Sequence, residues 1–201
     1  MNNKVLRRIV SITGFDIFLF IELPQNGNCL PDIKIRIKED DSPYNIDLSM
    51  HAFAKLFSLR DELNKFFDGY KINFTEYQLD GCTRAVLGTF PSRGVILCPQ
   101  AVYPTCIFVS KGAFSSICHA YPTISAYLCF LSNQLDEVRY IFNLFLNLIK
   151  KEDSIDIARN KILNSGNYQP YSMIQTEIFG TCMEILLFAK SVQDVVEIWE
   201  S

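Results

Sequence analysis

Only two histidines and one tryptophan occur in the chain, and none of its seven cysteines falls in a C-x-x-C pair. A zinc site needs about four clustered ligands at short spacing. Cys29, Cys82, Cys98, Cys106, Cys118, Cys129 and Cys182 are scattered instead, mostly in apolar runs. They read as buried free thiols of a reducing compartment. A phosphate-cradling G-x-x-x-x-G-K-S/T, a G-x-S-x-G and an H-E-x-x-H are all lacking. His51 lies near Ser49 and His119 adjoins Cys118, but successive helix positions point about 100° apart, so neither makes a nucleophile and base pair. The acidic run Glu39, Asp40 and Asp41 reads as a solvated turn. No catalytic residue, metal or cofactor is expected, and the chain reads as a non-enzyme.

Long apolar runs are also scarce. "YIFNLFLNLI", 140–149, is broken by Asn143 and Asn147 and falls short of the roughly 20 residues of a membrane span. The N-terminal "MNNKVLRRIVSITGF" has charges but neither an apolar core nor a small-residue cleavage site, so no signal peptide is expected. The expectation is a soluble, intracellular protein without a membrane partner, nuclear in a eukaryotic or viral setting. The abundance of Phe, Ile, Asn and Lys fits an AT-rich genome such as a viral one. A net charge of −3 argues against a uniformly basic nucleic-acid binder. The charge is uneven, with fifteen basic and fourteen acidic side chains in 1–150 but four and eight in 151–201. Any polyanion site must be local.

What is present is a sequence of strands. "KVLRRIVSI", "IFLFIEL" and "DIKIRIK" are separated by "TGFD" and by a loop holding Asn26-Gly27, and "IDLS" follows. "MHAFAKLFSLRDELNKFFDG" then places Ala52, Phe53, Leu56, Phe57, Leu59, Leu63, Phe66 and Phe67 at helical spacing, with Ser49 at the N-cap and Gly69 at the C-cap position. The next segments repeat this order: "YKINFTEYQL", "TRAVLGTF", "VILC" and "CIFVSKGAFSSICHAY". "IDLSMHAFAKLF", 46–57, aligns with "IFVSKGAFSSIC", 107–118, sharing isoleucine, an aliphatic, serine, the Ala-Phe pair and an aliphatic at the same offsets. Pro122 is expected to stop or kink the second helix. A helical stripe follows through Ile124, Leu128, Leu131, Leu135, Val138, Phe142, Phe145 and Ile149, with further helices over "SIDIARNKIL" and 173–199.

The fold class expected is α+β: two tandem ββββα units, 1–69 and 70–150, with a C-terminal helical extension, 151–201. On "IDLSMHAFAKLF" and "IFVSKGAFSSIC" with their preceding strands, residues 5–130 resemble the single-stranded-DNA-binding transcriptional coactivator family, positive cofactor four, and the related Whirly-type fold. In that family two such units pair through their helices while curved sheets present basic and aromatic side chains to unpaired strands. The resemblance therefore implies an intramolecular pseudodimer. Pro122, the missing lysine-rich tail and the C-terminal helices depart from the family pattern.

"PDIKIRIKED", 31–40, supplies the candidate site. In an extended chain Ile33, Ile35 and Ile37 share one face, and Lys34, Arg36 and Lys38 share the other. By the same alternation Ile17, Leu19, Ile21 and Leu23 face inward, and Phe18 and Phe20 face outward beside the cations. Bases stack on aromatics at about 1–3 kcal/mol each while cations follow phosphates. Arg7 and Arg8 extend the patch, and Arg84, Arg93 and Lys111 supply cations in the second unit. The expected function is single-stranded nucleic-acid binding, of DNA first, in replication or transcription. The alternative is a scaffold protein whose C-terminal helices bind a partner or a second copy, since half-exposed strands normally alternate and edge lysines deter aggregation.

Overall fold

The structure, a computed structural model, describes residues 4–23, 30–40, 43–72, 75–89, 92–99, 106–150, 152–165, 173–188 and 192–193. The Asn26-Gly27 turn, Cys29, Asp41 and the last predicted helix from 194 onward lie outside them. The described chain is α+β. Its strands are β1 (Lys4–Ile12), β2 (Phe15–Glu22), β3 (Asp32–Glu39), β4 (Asn45–Leu48), β5 (Glu76–Gln78), β6 (Thr83–Gly88), β7 (Gly94–Pro99) and β8 (Ile107–Ser110). Its helices are α1 (Met50–Ser58), α2 (Arg60–Phe67), α3 (Lys111–Leu148), α4 (Ile155–Leu163) and α5 (Met173–Phe188). The strands form two four-stranded antiparallel sheets, ordered β1-β2-β3-β4 and β5-β6-β7-β8. By compactness the chain divides into two units, each discontinuous in sequence: 8–19 with 34–128, and 1–7 with 20–33 and 129–201.

Both predicted helix starts take the same local form. Ser49 Oγ accepts from the Ala52 N–H at 3.0 Å and Ser110 Oγ from the Ala113 N–H at 3.2 Å, the N-cap bond to the third helical residue. Ile46, Leu48, Ala52, Phe53 and Leu56 are buried, and so are their counterparts Ile107, Val109, Ala113, Phe114 and Ile117. The strand-to-helix junction thus buries the same offsets twice.

In the unit of 8–19 and 34–128, aromatic rings join the helices. Tyr121 of α3 stacks on Phe57 of α1 at 3.4 Å between centroids and lies 5.9 Å from Phe53, while Phe114 packs 5.7 Å from Phe67 of α2. The predicted helix over 50–69 is two short helices. At Leu59 (φ −84°, ψ 2°) the N–H is shared between the Lys55 and Leu56 carbonyls, both at 3.3 Å, so the last turn of α1 tightens before α2 begins. Gly69 does end the second helix. It sits at φ +99°, with its N–H on the Phe66 carbonyl and the Tyr70 N–H on the Lys65 carbonyl. That Schellman pair needs a left-handed residue, which glycine adopts without steric cost.

Pro122 does not stop α3, which runs unbroken for 38 residues. Proline inside a helix costs about 3 kcal/mol through its missing N–H and ring clash. Burial of Ile124, Leu128, Leu131, Val138, Phe142 and Phe145 along the predicted stripe outweighs that cost.

In the unit of 1–7, 20–33 and 129–201, Glu177 of α5 accepts from the backbone N–H of Leu6, a residue held at φ +53°. Arg139 of α3 donates to the Pro31 carbonyl at 3.1 Å, and Phe145 meets Phe179 edge to face. Ser154 caps α4, and the Asp153–Lys161 pair at 2.7 Å spans its first two turns. Among the described residues no helix is long and apolar enough to cross a membrane.

One polar cluster joins the two halves of the sequence. The Ser49 hydroxyl that caps α1 donates to Asp80 Oδ2 at 2.5 Å, and the Cys82 N–H donates to Asp80 Oδ1 at 2.8 Å. Burial pushes the Asp80 carboxyl up, but the bonds from Ser49, Cys82 and Thr83 together hold it below its ordinary 3.8. Because the folded-state pKa is the lower one, Asp80 stabilises the fold above the unfolded pKa, and that contribution is lost as pH falls through the folded value. Asp80→Ala is expected to cost about 1–2 kcal/mol at neutral pH. It should also flatten the decline in stability below about pH 4. Urea melts across that range measure both; a decline as steep in the variant as in the wild type would place the acid sensitivity elsewhere.

Candidate nucleic-acid interface

Strand pairing builds the interface from the opening alternation. Ile35 opposes Leu48 and Ile37 opposes Ile46, all buried, so Arg36, opposite Asp47, and Lys38, opposite Asn45, stand on the other face. Within the unit of 8–19 and 34–128 this face gathers Asp16, Phe18, Lys34, Arg36, Lys38 and Asp47. Phe18 and Lys34 are half-buried and Lys38 is exposed. Four of the nine predicted site residues, Phe18, Lys34, Arg36 and Lys38, are therefore brought together.

Carboxylates interrupt the basic row. Arg36 Nε and Nη2 donate to Asp47 Oδ1 and Oδ2 at 2.5 and 2.6 Å, a bidentate pair that occupies the guanidinium fork a phosphate would use. Asp16, Glu39 and Asp40 line an open depression of about 400 Å³ with Lys38. Asp16 is itself held by the Ser11 hydroxyl at 2.6 Å. The potential over this face is mixed, with Lys34 farthest along the strand from the acidic end.

The other five predicted residues sit differently. Phe20 is fully buried, with Lys4 Nζ 4.6 Å from its ring centroid, and so is not an exposed stacking platform. Its neighbours Leu19 and Ile21 are equally buried, so β2 is covered on both faces there. The five consecutive apolar residues "IFLFI", 17–21, were the available signal, since strands buried on both sides lose the alternation. Arg7 and Arg8 are both exposed, but one peptide step turns them to opposite sides of β1. Arg8 lies 5.5 Å from the Tyr127 ring of α3, in a depression of about 490 Å³ that Pro122, Thr123 and Ala126 also line. It belongs to the helix side rather than to the Lys34 row. Arg84 pairs with Glu76 at 3.2 Å on the second sheet.

Arg93 has a structural role. It donates to the Phe66 carbonyl and, at 3.3 Å, to the Gly69 carbonyl, with its guanidinium 5.3 Å from the Phe66 ring. A cation on the last carbonyls of α2 complements the helix dipole.

No family model, curated protein or solved structure matches the chain. The residues therefore stand by their own geometry. Among those described, no three His, Cys, Asp or Glu side chains gather so as to hold a metal ion. His119 Nδ1 lies 2.7 Å from the Ser115 carbonyl one turn earlier, a local helix contact.

The second sheet carries an apolar feature that its cations do not mark. Val86, Ile96 and Phe108 are directly opposed across β6, β7 and β8, all half-buried on the outer face. Beside them the Phe108 ring lies over Gly94, where a Cβ would come within 2.1 Å of ring atoms. Apolar residues on both faces of "GVILCP" were the sign, readable only once register is known.

These placements separate structural from surface cations. Arg93→Ala is expected to lower stability by about 1–3 kcal/mol. Lys38→Gln, at an exposed position, should stay within about 0.5 kcal/mol. Parallel denaturant titrations check this, and an Arg93 variant as stable as the wild type would contradict the capping role.

Proposed function

We propose that the chain is a non-catalytic single-stranded nucleic-acid-binding protein, DNA being the first ligand to test, acting in replication or transcription. In this reading one polypeptide supplies two ββββα halves of an intramolecular pseudodimer. The carrying observation is the repeated junction: four sequential strands, a serine N-cap and a buried Ala-Phe pair, at Ser49-Ala52-Phe53 and again at Ser110-Ala113-Phe114. The contacts of Tyr121 and Phe114 with α1 and α2 are those that helix pairing of two halves calls for. Phe18 with Lys34 and Lys38 offers the ring and cations that a flexible strand uses, one for bases and the others for phosphates.

A second reading is favoured by two observations. Phe20 lies in the unit that holds residues 129–201 and exposes nothing, and carboxylates surround Lys38. Both suit a scaffold protein that keeps the fold without a nucleic-acid face.

Fluorescence anisotropy with a labelled single-stranded oligonucleotide distinguishes the two. Binding is expected at low salt, with log K falling by about 0.7 per phosphate contacted for each unit of log salt. Lys34→Gln/Lys38→Gln should weaken binding and make that slope shallower, and Phe18→Ala should cost about 1–3 kcal/mol if a base stacks there. Absence of binding at low salt would establish the scaffold reading instead.

A further inference from the structure

We propose that Cys98 and Cys106 are a redox clasp: a dithiol that closes reversibly into a disulfide across the β7–β8 connection. The strand pairing places them. β7 and β8 run antiparallel with Leu97 opposite Ile107 as their last pair, and Cys98 and Cys106 are the next residue on each side of that pair. The two sulfurs lie 2.8 Å apart. Directly opposed residues of an antiparallel pair hold their Cα atoms about 4.5–5.5 Å apart. That falls inside the window of roughly 4.4–6.8 Å that a disulfide requires. The two thiols therefore already face one another, next to a strand pair whose spacing suits a disulfide.

The surroundings assign the two thiols different roles. Cys98 is buried, on the same face as Arg84 and Ile96, and burial followed by its contact with Cys106 pushes its thiol up to about 12. Cys106 is partly exposed. A small-molecule disulfide such as oxidised glutathione supplies the oxidising equivalents. The Cys106 thiolate attacks one of its sulfurs, forming a mixed disulfide and releasing one glutathione thiolate. Cys98 then gives up its proton and attacks Cys106 Sγ, expelling the second glutathione. Two protein S–H groups and one glutathione disulfide become one protein disulfide and two glutathione thiols, so electrons and protons balance. Reduction by excess thiol reverses each step.

The inference is independent of nucleic-acid binding, because neither cysteine belongs to the Phe18–Lys34–Lys38 face. The test uses the full chain, equilibrated with oxidised and reduced glutathione, alkylated, and mapped by mass spectrometry of peptides. A Cys98–Cys106 link is expected, cleared by dithiothreitol, with the exposed Cys82 and Cys129 as internal comparisons. The oxidised form should melt about 5–10 °C higher than the reduced form. Cys98→Ser should stall with a glutathione adduct on Cys106, whereas Cys106→Ser should leave Cys98 unmodified; an adduct on Cys98 in the latter overturns the assignment of roles. A link between other cysteines, a chain that stays fully reduced, or a 98–106 link that leaves the melting point unchanged overturns the clasp. The wild-type mapping decides the matter even where a variant fails to fold.

Discussion

At Ser49 and again at Ser110 the chain changes its side-chain period from two to 3.6, and a continuous core survives only if the buried offsets on both sides agree. The serine hydroxyl makes that agreement possible. By accepting the N–H of Ala52 or Ala113, it starts the helix at the residue that brings Phe53 or Phe114 under the same apolar cover as Leu48 or Val109. Shifting the start by one residue would rotate each phenylalanine by about 100° and out of the core. The first junction carries an added constraint, because Ser49 also donates to Asp80 in the β5–β6 turn. Helix start and distant hairpin thus share one hydroxyl.

The two sheets use their outer faces in opposite ways. The first carries charge, but in alternating sign: Arg36 is spent on Asp47, and Lys38 faces Asp16, Glu39 and Asp40. The second carries the apolar row Val86, Ile96 and Phe108, with its Arg84 neutralised by Glu76. Phe18 and Lys34, both half-buried, share the outer face of the first sheet with Arg36 and Lys38. The Cys98 and Cys106 thiols stand at the second sheet, away from that charged face.

Patterns local in sequence were legible because each rests on a few neighbouring residues. The strands, the serine caps, the Schellman glycine at Gly69 and the buried stripe of α3 are of this kind, set by alternation, a hydroxyl or a positive φ. Of the two outcomes open at Pro122, a stop is ruled out by the continuation of α3 to Leu148, which rests on burial along the stripe and is not encoded by the proline itself. Phe20 was misread for a related reason. Alternation says which side of β2 it occupies, while its complete burial depends on what covers that side.

The sequence by itself determined the order of the strands and helix starts in the strand-rich part and which residues of "PDIKIRIKED" share a face, because backbone geometry makes side-chain direction a function of position alone. Only the tertiary structure decided which of those cations meet a carboxylate, which ring is covered, and that Cys98 and Cys106 stand sulfur to sulfur. Register and packing bring together residues distant in the chain, and no local period encodes them.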